Sequence, residues 1–140
     1  MSPNQPSVSS IQTSADVSQS LAVVIAQAAD DRKGGDIQIL KVDEVSFLAD
    51  YFVIVTGFSR TQVRAIATAM GHAAEEQCQR QPLRKEGQSE ATWIVLDYGD
   101  VIAHILMPEQ RDYYDLEAFW GHAERLNVTL STESSTGRTL

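Results

Sequence analysis

The sequence predicts an α/β domain, a mixed sheet with flanking helices whose elements run in the order α-β-β-α-β-β-α. Three patterns predict it: two long segments with apolar residues at helical spacing, a run of β-branched and aromatic residues between them, and two apolar runs joined by a Gly-containing turn. With 140 residues and 43% apolar content, the chain is long enough for one buried core and short of two ordinary domains.

Residues 1–13 are rich in Ser, Pro, Asn and Gln, and 129–140 in Ser, Thr and Gly, so both ends read as disordered or flexible tails around a domain at 14–128. Val17, Leu21, Val24, Ile25 and Ala28 mark a first amphipathic helix, with Ser14 or Asp16 as N-cap and Gly34-Gly35 as its stop. Ile37 to Val42 is a short strand. Tyr51 to Thr56 is almost wholly β-branched or aromatic and reads as a buried central strand. Ser59 stands three residues before Gln62, a capping-box pattern, and Val63, Ile66, Ala67, Met70, Ala74 and Cys78 follow on one face. That second helix runs to about Arg80 and stops at Pro82, with Cys78 on its apolar side and His72 on its polar side. Trp93 to Asp97 and Val101 to Met107 form a hairpin, which Pro108 closes. Leu116, Phe119, Trp120 and Ala123 then mark a last short helix ending near Asn127, and no internal repeat is visible.

Eleven Lys and Arg against nineteen Asp and Glu leave a formal charge of −8, which repels phosphate backbones and favours basic partners, although such a charge also serves solubility alone. Direct, sequence-specific nucleic-acid binding is therefore not expected. A single cysteine, Cys78, cannot form an intramolecular disulfide, and the first 31 residues hold no Lys or Arg, unlike a secretory signal or an Arg-rich transit peptide. No apolar run approaches the roughly 18 residues that span a bilayer. A reducing, bacterial-type cytoplasm and no membrane association are the expectation.

Catalytic patterns are weak. The sequence carries no Gly-x-Gly-x-x-Gly, no phosphate loop ending in Gly-Lys-Ser/Thr, no paired-His helix and no second cysteine, so no cofactor and no metal are expected. Thr56-Gly57-Phe58-Ser59 puts a glycine and a hydroxyl at a helix start, where an anion could sit or Ser59 could simply cap the helix. Asp97 and Asp100 flank the hairpin turn, as turn residues or as a carboxylate pair for a cation. His104 lies four residues past Asp100, roughly 13 Å along a strand, too far to join them.

The hairpin has two candidate registers. A two-residue Tyr98-Gly99 loop sets Trp93 opposite His104 and Asp97 opposite Asp100; a three-residue Asp97-Tyr98-Gly99 turn separates Trp93 from His104. In the first, Ile94, Leu96, Val101, Ala103 and Ile105 form a core face. The other face, with Trp93, Val95, Ile102, His104 and Leu106, is left for a partner, unless Trp93 is simply buried. Downstream, Arg111, Tyr113 and Tyr114, residue types enriched at binding hot spots, stand among the acids Asp112, Asp115 and Glu117 just before the last helix, while Arg111 could instead pair with a local carboxylate and the tyrosines seal the core.

Asp50-Tyr51-Phe52-Val53-Ile54-Val55-Thr56-Gly57, Ser59 with Gln62-Val63-Arg64-Ala65-Ile66-Ala67, Trp93, Leu96-Asp97-Tyr98-Gly99-Asp100-Val101, His104 and Arg111 to Trp120 resemble, in order and separation, the ribosomal silencing factor (Iojap-like) family. The resemblance covers about residues 16–127. It implies a translation repressor that binds large-ribosomal-subunit protein number fourteen and sterically blocks joining of the small subunit. Separately, an exposed apolar sheet face can pair with its own copy, and homodimerisation when free is compatible with ribosome binding if the two surfaces compete or lie apart. The resemblance also implies a fold related to nucleotidyltransferases. The metal-site pattern of those enzymes is not matched: Phe58 follows Gly57 where they have Ser, and Thr61 to Gly71 holds no carboxylate. The expected partner-binding residues are Trp93, Asp97, Asp100, His104, Arg111, Tyr113, Glu117 and Trp120, with none catalytic. The alternative is a nucleotide- or metal-binding enzyme of nucleotidyltransferase type using Ser59, Asp97 and Asp100.

Overall fold

The structure, a computed structural model, describes residues 13–43, 48–127 and 130. Its elements are α1 (Ser14–Asp31), β1 (Gly35–Lys41), β2 (Tyr51–Thr56), α2 (Arg60–Cys78), β3 (Arg84–Glu86), β4 (Trp93–Asp97), β5 (Val101–Leu106), α3 (Pro108–Tyr114), α4 (Leu116–Phe119) and β6 (Glu124–Arg125). The rest of the two expected tails lies outside the described residues. Thr13 does not belong to a tail: its hydroxyl accepts from the Asp16 N–H at 3.1 Å, making Thr13 rather than Ser14 or Asp16 the N-cap. Leu130, also placed in a tail by the sequence, is buried.

Six strands form one mixed sheet in the order β3-β4-β5-β2-β1-β6. β2 and β5 run parallel at its centre and every other neighbouring pair is antiparallel. The sequence-predicted central strand is buried along its whole length, as a β-branched run covered on both sides must be. Ser59 caps α2 by accepting from the Gln62 N–H at 3.0 Å. The reciprocal half of the box differs: Gln62 Oε1 accepts from the N–H of Phe58, while its Nε2 donates to the carbonyls of Arg32 and Lys33 at the end of α1. One side chain thus serves two helix termini. Gly34 is required by proximity, since a Cβ there would lie 2.6 Å from Val55 Cγ1.

Three further expectations are corrected. The hairpin has neither predicted register: Tyr98 N–H bonds Val101 O, the turn residues are Gly99 and Asp100, and Trp93 pairs with Leu106 while Val95 pairs with His104. Gly99 at φ 92° supplies the positive φ that the first position of such a turn demands. Moving the turn by one residue shifts the pairing by two, so every side chain keeps its face. The last helix, expected from Leu116 to near Asn127, is only the four-residue α4, followed by a turn and β6, and a helix that was not anticipated, α3, precedes it and ends at Asp115 in a left-handed conformation at φ 46°. Pro108 opens α3 at its first turn, where its missing N–H costs no helical bond. Two short edge strands, β3 and β6, were not anticipated.

α1 and α2 cover one face of the sheet, enclosing Leu21, Ile25, Val53, Val55, Ile66 and Ile105. Tyr98 is also enclosed there. Its hydroxyl has no hydrogen-bond partner among the described residues, and burial pushes its pKa up to about 12.

Candidate functional site

The opposite face has a thinner cover. Leu40, Phe52, Ile54 and Leu106 are buried there beneath Leu116, Trp120 and Ala123 of the C-terminal segment, with Trp93 and Ile102 beside them. Seven rings run across it in a chain, Phe119, Trp120, Phe52, His104, Trp93, Tyr114 and Tyr113. Successive centroids lie 5.1, 5.3, 5.2, 5.9, 4.8 and 4.9 Å apart. These are distances at which ring quadrupoles attract, about 0.5–1.5 kcal/mol per pair beyond area burial. The middle of the chain is packed; its ends are open. Tyr113 is 81% exposed, Phe119 76% and Tyr114 51%, with Trp93 and Trp120 half-buried between them.

His104 is the polar member of the packed middle. Trp93 Nε1–H donates to His104 Nδ1 at 3.1 Å. Burial drives the imidazole down from 6.5 to about 4, against the opposing pull of the Asp97 carboxylate. The ring is neutral at pH 7, and an accepting Nδ1 assigns the proton to Nε2.

Arg111 is turned inward rather than presented to solvent. Only 8% exposed, its Nη1 donates to Thr56 Oγ1 at 2.9 Å, its Nε to Glu117 Oε2 at 3.0 Å, and its Nη2 pairs with Glu117 and, at 3.5 Å, with Asp36. Arg111 and Glu117 therefore tie α3 and α4 to the ends of β2 and β1, and are engaged with each other. Beside them lies a polar cavity of about 330 Å³, where Asp36, Asp112, Asp115 and Glu117 face Arg111 and Arg125. Four carboxylates against two guanidinium groups leave this end of the molecule acidic.

Asp97 and Asp100 do not converge. Asp97 Oδ1 accepts from Gly99 N–H at 2.8 Å, while Asp100 turns toward α1, where Arg80 binds it through both terminal nitrogens and Ser18 Oγ lies 3.1 Å away. Burial pushes the Asp100 pKa up, but the bonds from Arg80 and Ser18 outweigh it and leave the carboxyl below its ordinary value. The carboxylate pair weighed as a cation site is thus split between two faces, and the described residues hold no group of three or more potential metal ligands. Ser59 is occupied as the α2 cap.

Of the sequence-predicted residues, the fold brings Trp93, His104, Tyr113 and Trp120 onto the ring chain and places Asp97 on the same face, while Asp100, Arg111 and Glu117 are held in internal bonds. Sequence reasoning missed Phe52 and Phe119 as members of the chain. Phe52 appeared as one residue of a buried strand, and Phe119 as the inward side of a longer helix. No local signal marked Phe119, since it shares helical spacing with Leu116, Trp120 and Ala123, but the helix stops at Phe119 and leaves its ring exposed.

Comparison with known proteins gives one direction. The family model described as "Ribosomal silencing factor during starvation" matches residues 15–139. "Ribosomal silencing factor RsfS" of Bacillus subtilis is 40% identical over 105 residues, covering 75% of this chain and 88% of that protein. "Mitochondrial assembly of ribosomal large subunit protein 1" of Mus musculus is 31% identical over 87 residues, covering 61% of this chain and 38% of that longer protein. Among solved structures, the X-ray structure of a Chromobacterium violaceum protein matches with a TM-score of 0.71 and 31% identity, covering 80% of this chain and 92% of that one.

Proposed function

This chain belongs to the ribosomal silencing factor family, and from that premise we propose that it represses translation by docking on the large ribosomal subunit and obstructing the small one. The docking partner is ribosomal protein number fourteen of that subunit, and the compartment a bacterial-type cytoplasm. The observation that carries the reading is the ring chain, whose exposed ends, Tyr113, Tyr114 and Phe119, lie on one face beside half-buried Trp93 and Trp120. Aromatic centres with a polar rim are what protein interfaces favour. A net charge of −8 and the acidic cavity beside α3 suit a basic partner and would speed capture at low salt.

Obstruction requires no catalytic group, only an interface of about 1,600 Å² that outlasts encounters with the small subunit. Trp93 and Trp120 anchor it, Tyr113, Tyr114 and Phe119 extend it, and Asp97 and Asp112 answer basic side chains. Arg111 and Glu117 shape the face from inside. Kinship with nucleotidyltransferases belongs to this reading as a matter of fold. Self-association when free would use the same face and compete with docking.

Purified protein is expected to co-sediment with isolated large subunits, to be captured by the isolated ribosomal protein, and to lower the yield of joined ribosomes. Tyr113→Ala should weaken all three. Absence of co-sedimentation at several-fold excess removes the proposal, and tight calorimetric binding of a nucleoside triphosphate with magnesium would favour the enzyme alternative instead.

A further inference from the structure

We propose that His104 is a positioning residue of the docking face: its Nδ1 holds the Trp93 indole by accepting the Nε1 proton, and Trp93 in turn holds the Tyr114–Tyr113 pair that meets the partner. This rests on the docking reading above and names which residue sets the geometry of that face.

The geometry separates two roles. His104 sits in the packed middle of the chain, with Phe52 at 5.2 Å and Trp93 at 5.9 Å, whereas Tyr113 and Tyr114 form its open end. Trp93 and His104 are diagonal neighbours across β4 and β5, Trp93 pairing with Leu106 and His104 with Val95. The indole spans that diagonal, and its orientation is fixed by a single directional bond at 3.1 Å. A rotated indole would lose the acceptor and leave a donor over an apolar floor of Ile54, Phe52 and Leu106. Tyr114, tilted 49° against the indole at 4.8 Å, would lose its support, and with it Tyr113.

The elements around His104 present few groups that could substitute for it. β2 offers Phe52 and Ile54, β4 offers Val95, Trp93 and the Asp97 carboxylate, and the C-terminal segment offers the phenols of Tyr113 and Tyr114 beyond the indole. Asp97 is the charge that bears on the imidazole. Protonation of Nδ1 would set two donors against each other, so the link holds only while His104 is neutral.

A double-mutant cycle on large-subunit affinity tests this in the full chain. His104→Leu removes the acceptor and Trp93→Phe removes the donor; each is expected to weaken binding by about tenfold, and the double variant by no more than either alone. His104→Asn puts a carbonyl oxygen near the Nδ1 position without a titrating group and is expected to bind within about twofold of wild type. A merely structural His104 would give additive losses of about a hundredfold, or no rescue by Asn, and either result overturns the proposal. Binding by wild type that is insensitive to Trp93→Phe also overturns it while leaving the docking reading intact. No binding by wild type removes both. A second readout does not depend on binding: the indole N–H resonance of Trp93, assigned by its loss in Trp93→Phe, should shift as His104 titrates, while that of Trp120 stays still. A Trp93 resonance indifferent to acid and to His104→Asn would sever the link.

Discussion

Replacing Arg111 with Met isolates the buried cation that joins α3 to the sheet. The guanidinium is 8% exposed and binds Thr56, Glu117 and Asp36. Asp36 is 68% exposed, so solvent screens it and its share is small. Glu117 is 17% exposed and would be left as an uncompensated carboxylate beside a Thr56 hydroxyl without its donor. Removing one partner of a buried pair costs about 3–5 kcal/mol, and the partial exposure of Glu117 places this case near the lower end, about 3 kcal/mol. For a domain of this size that corresponds to a fall in Tm of about 10 °C. Arg111→Met combined with Glu117→Leu leaves no charge stranded and is expected to recover most of the loss. Urea unfolding of wild type, both single variants and the double variant at pH 7 supplies the four free energies. A loss below about 1 kcal/mol for Arg111→Met, or a double variant less stable than that single one, would refute the assignment of this pair as the tie between helix and sheet.

Other outcomes follow from the buried polar groups. The folded chain holds the His104 imidazole at about 4 against 6.5 when free, so it binds that proton less readily than the unfolded chain does. Stability is therefore complete above pH 6.5 and falls as pH drops toward 4, by about 3 kcal/mol in all; denaturation of His104→Asn should lack this limb, and equal slopes would refute it. Asp100, held below its ordinary value, contributes stability that persists above the carboxylate range and is lost as pH falls through the lowered pKa, so Asp100→Asn should flatten the more acidic limb of the same curve. Tyr98→Phe removes a hydroxyl that has no partner among the described residues and is expected to raise stability by about 1 kcal/mol in a thermal melt. Gly87→Ala places a Cβ 2.0 Å from the Trp93 carbonyl oxygen at φ 86°, and should cost well over about 1 kcal/mol by the same assay.

Much of the fold was readable because several local signals agreed. β2 is found over the six residues that its β-branched run marked out, and α2 starts at the cap that Ser59 announced. The two faces of the hairpin were also assigned correctly although its register was not, since a slip of two residues preserves side-chain alternation. What stayed hidden depends on distant partners. β3 is Arg84-Lys85-Glu86, wholly exposed and without alternation, and exists because β4 offers it an edge. Arg111 reads from its neighbours either as a hot-spot residue or as the partner of a local carboxylate; it pairs with Glu117, and its bond to Thr56, 55 positions away, was beyond local reading. The ring chain draws Phe52 from β2, His104 and Trp93 from the hairpin and four more rings from beyond Pro108, so no stretch of sequence displays it.

The parallel pairing of β2 with β5 joins Tyr51 to Val101, fifty residues later. During synthesis at roughly 5–20 residues per second, Tyr51 to Thr56 emerges several seconds before the strand that will flank it. For that interval a run of uniformly buried character has only β1 as a neighbour, and its other edge is open to any extended chain. That edge of β2 therefore stays unpaired until Val101–Leu106 has emerged. A chain truncated before that segment should be caught by chaperones rather than accumulate as a folded fragment.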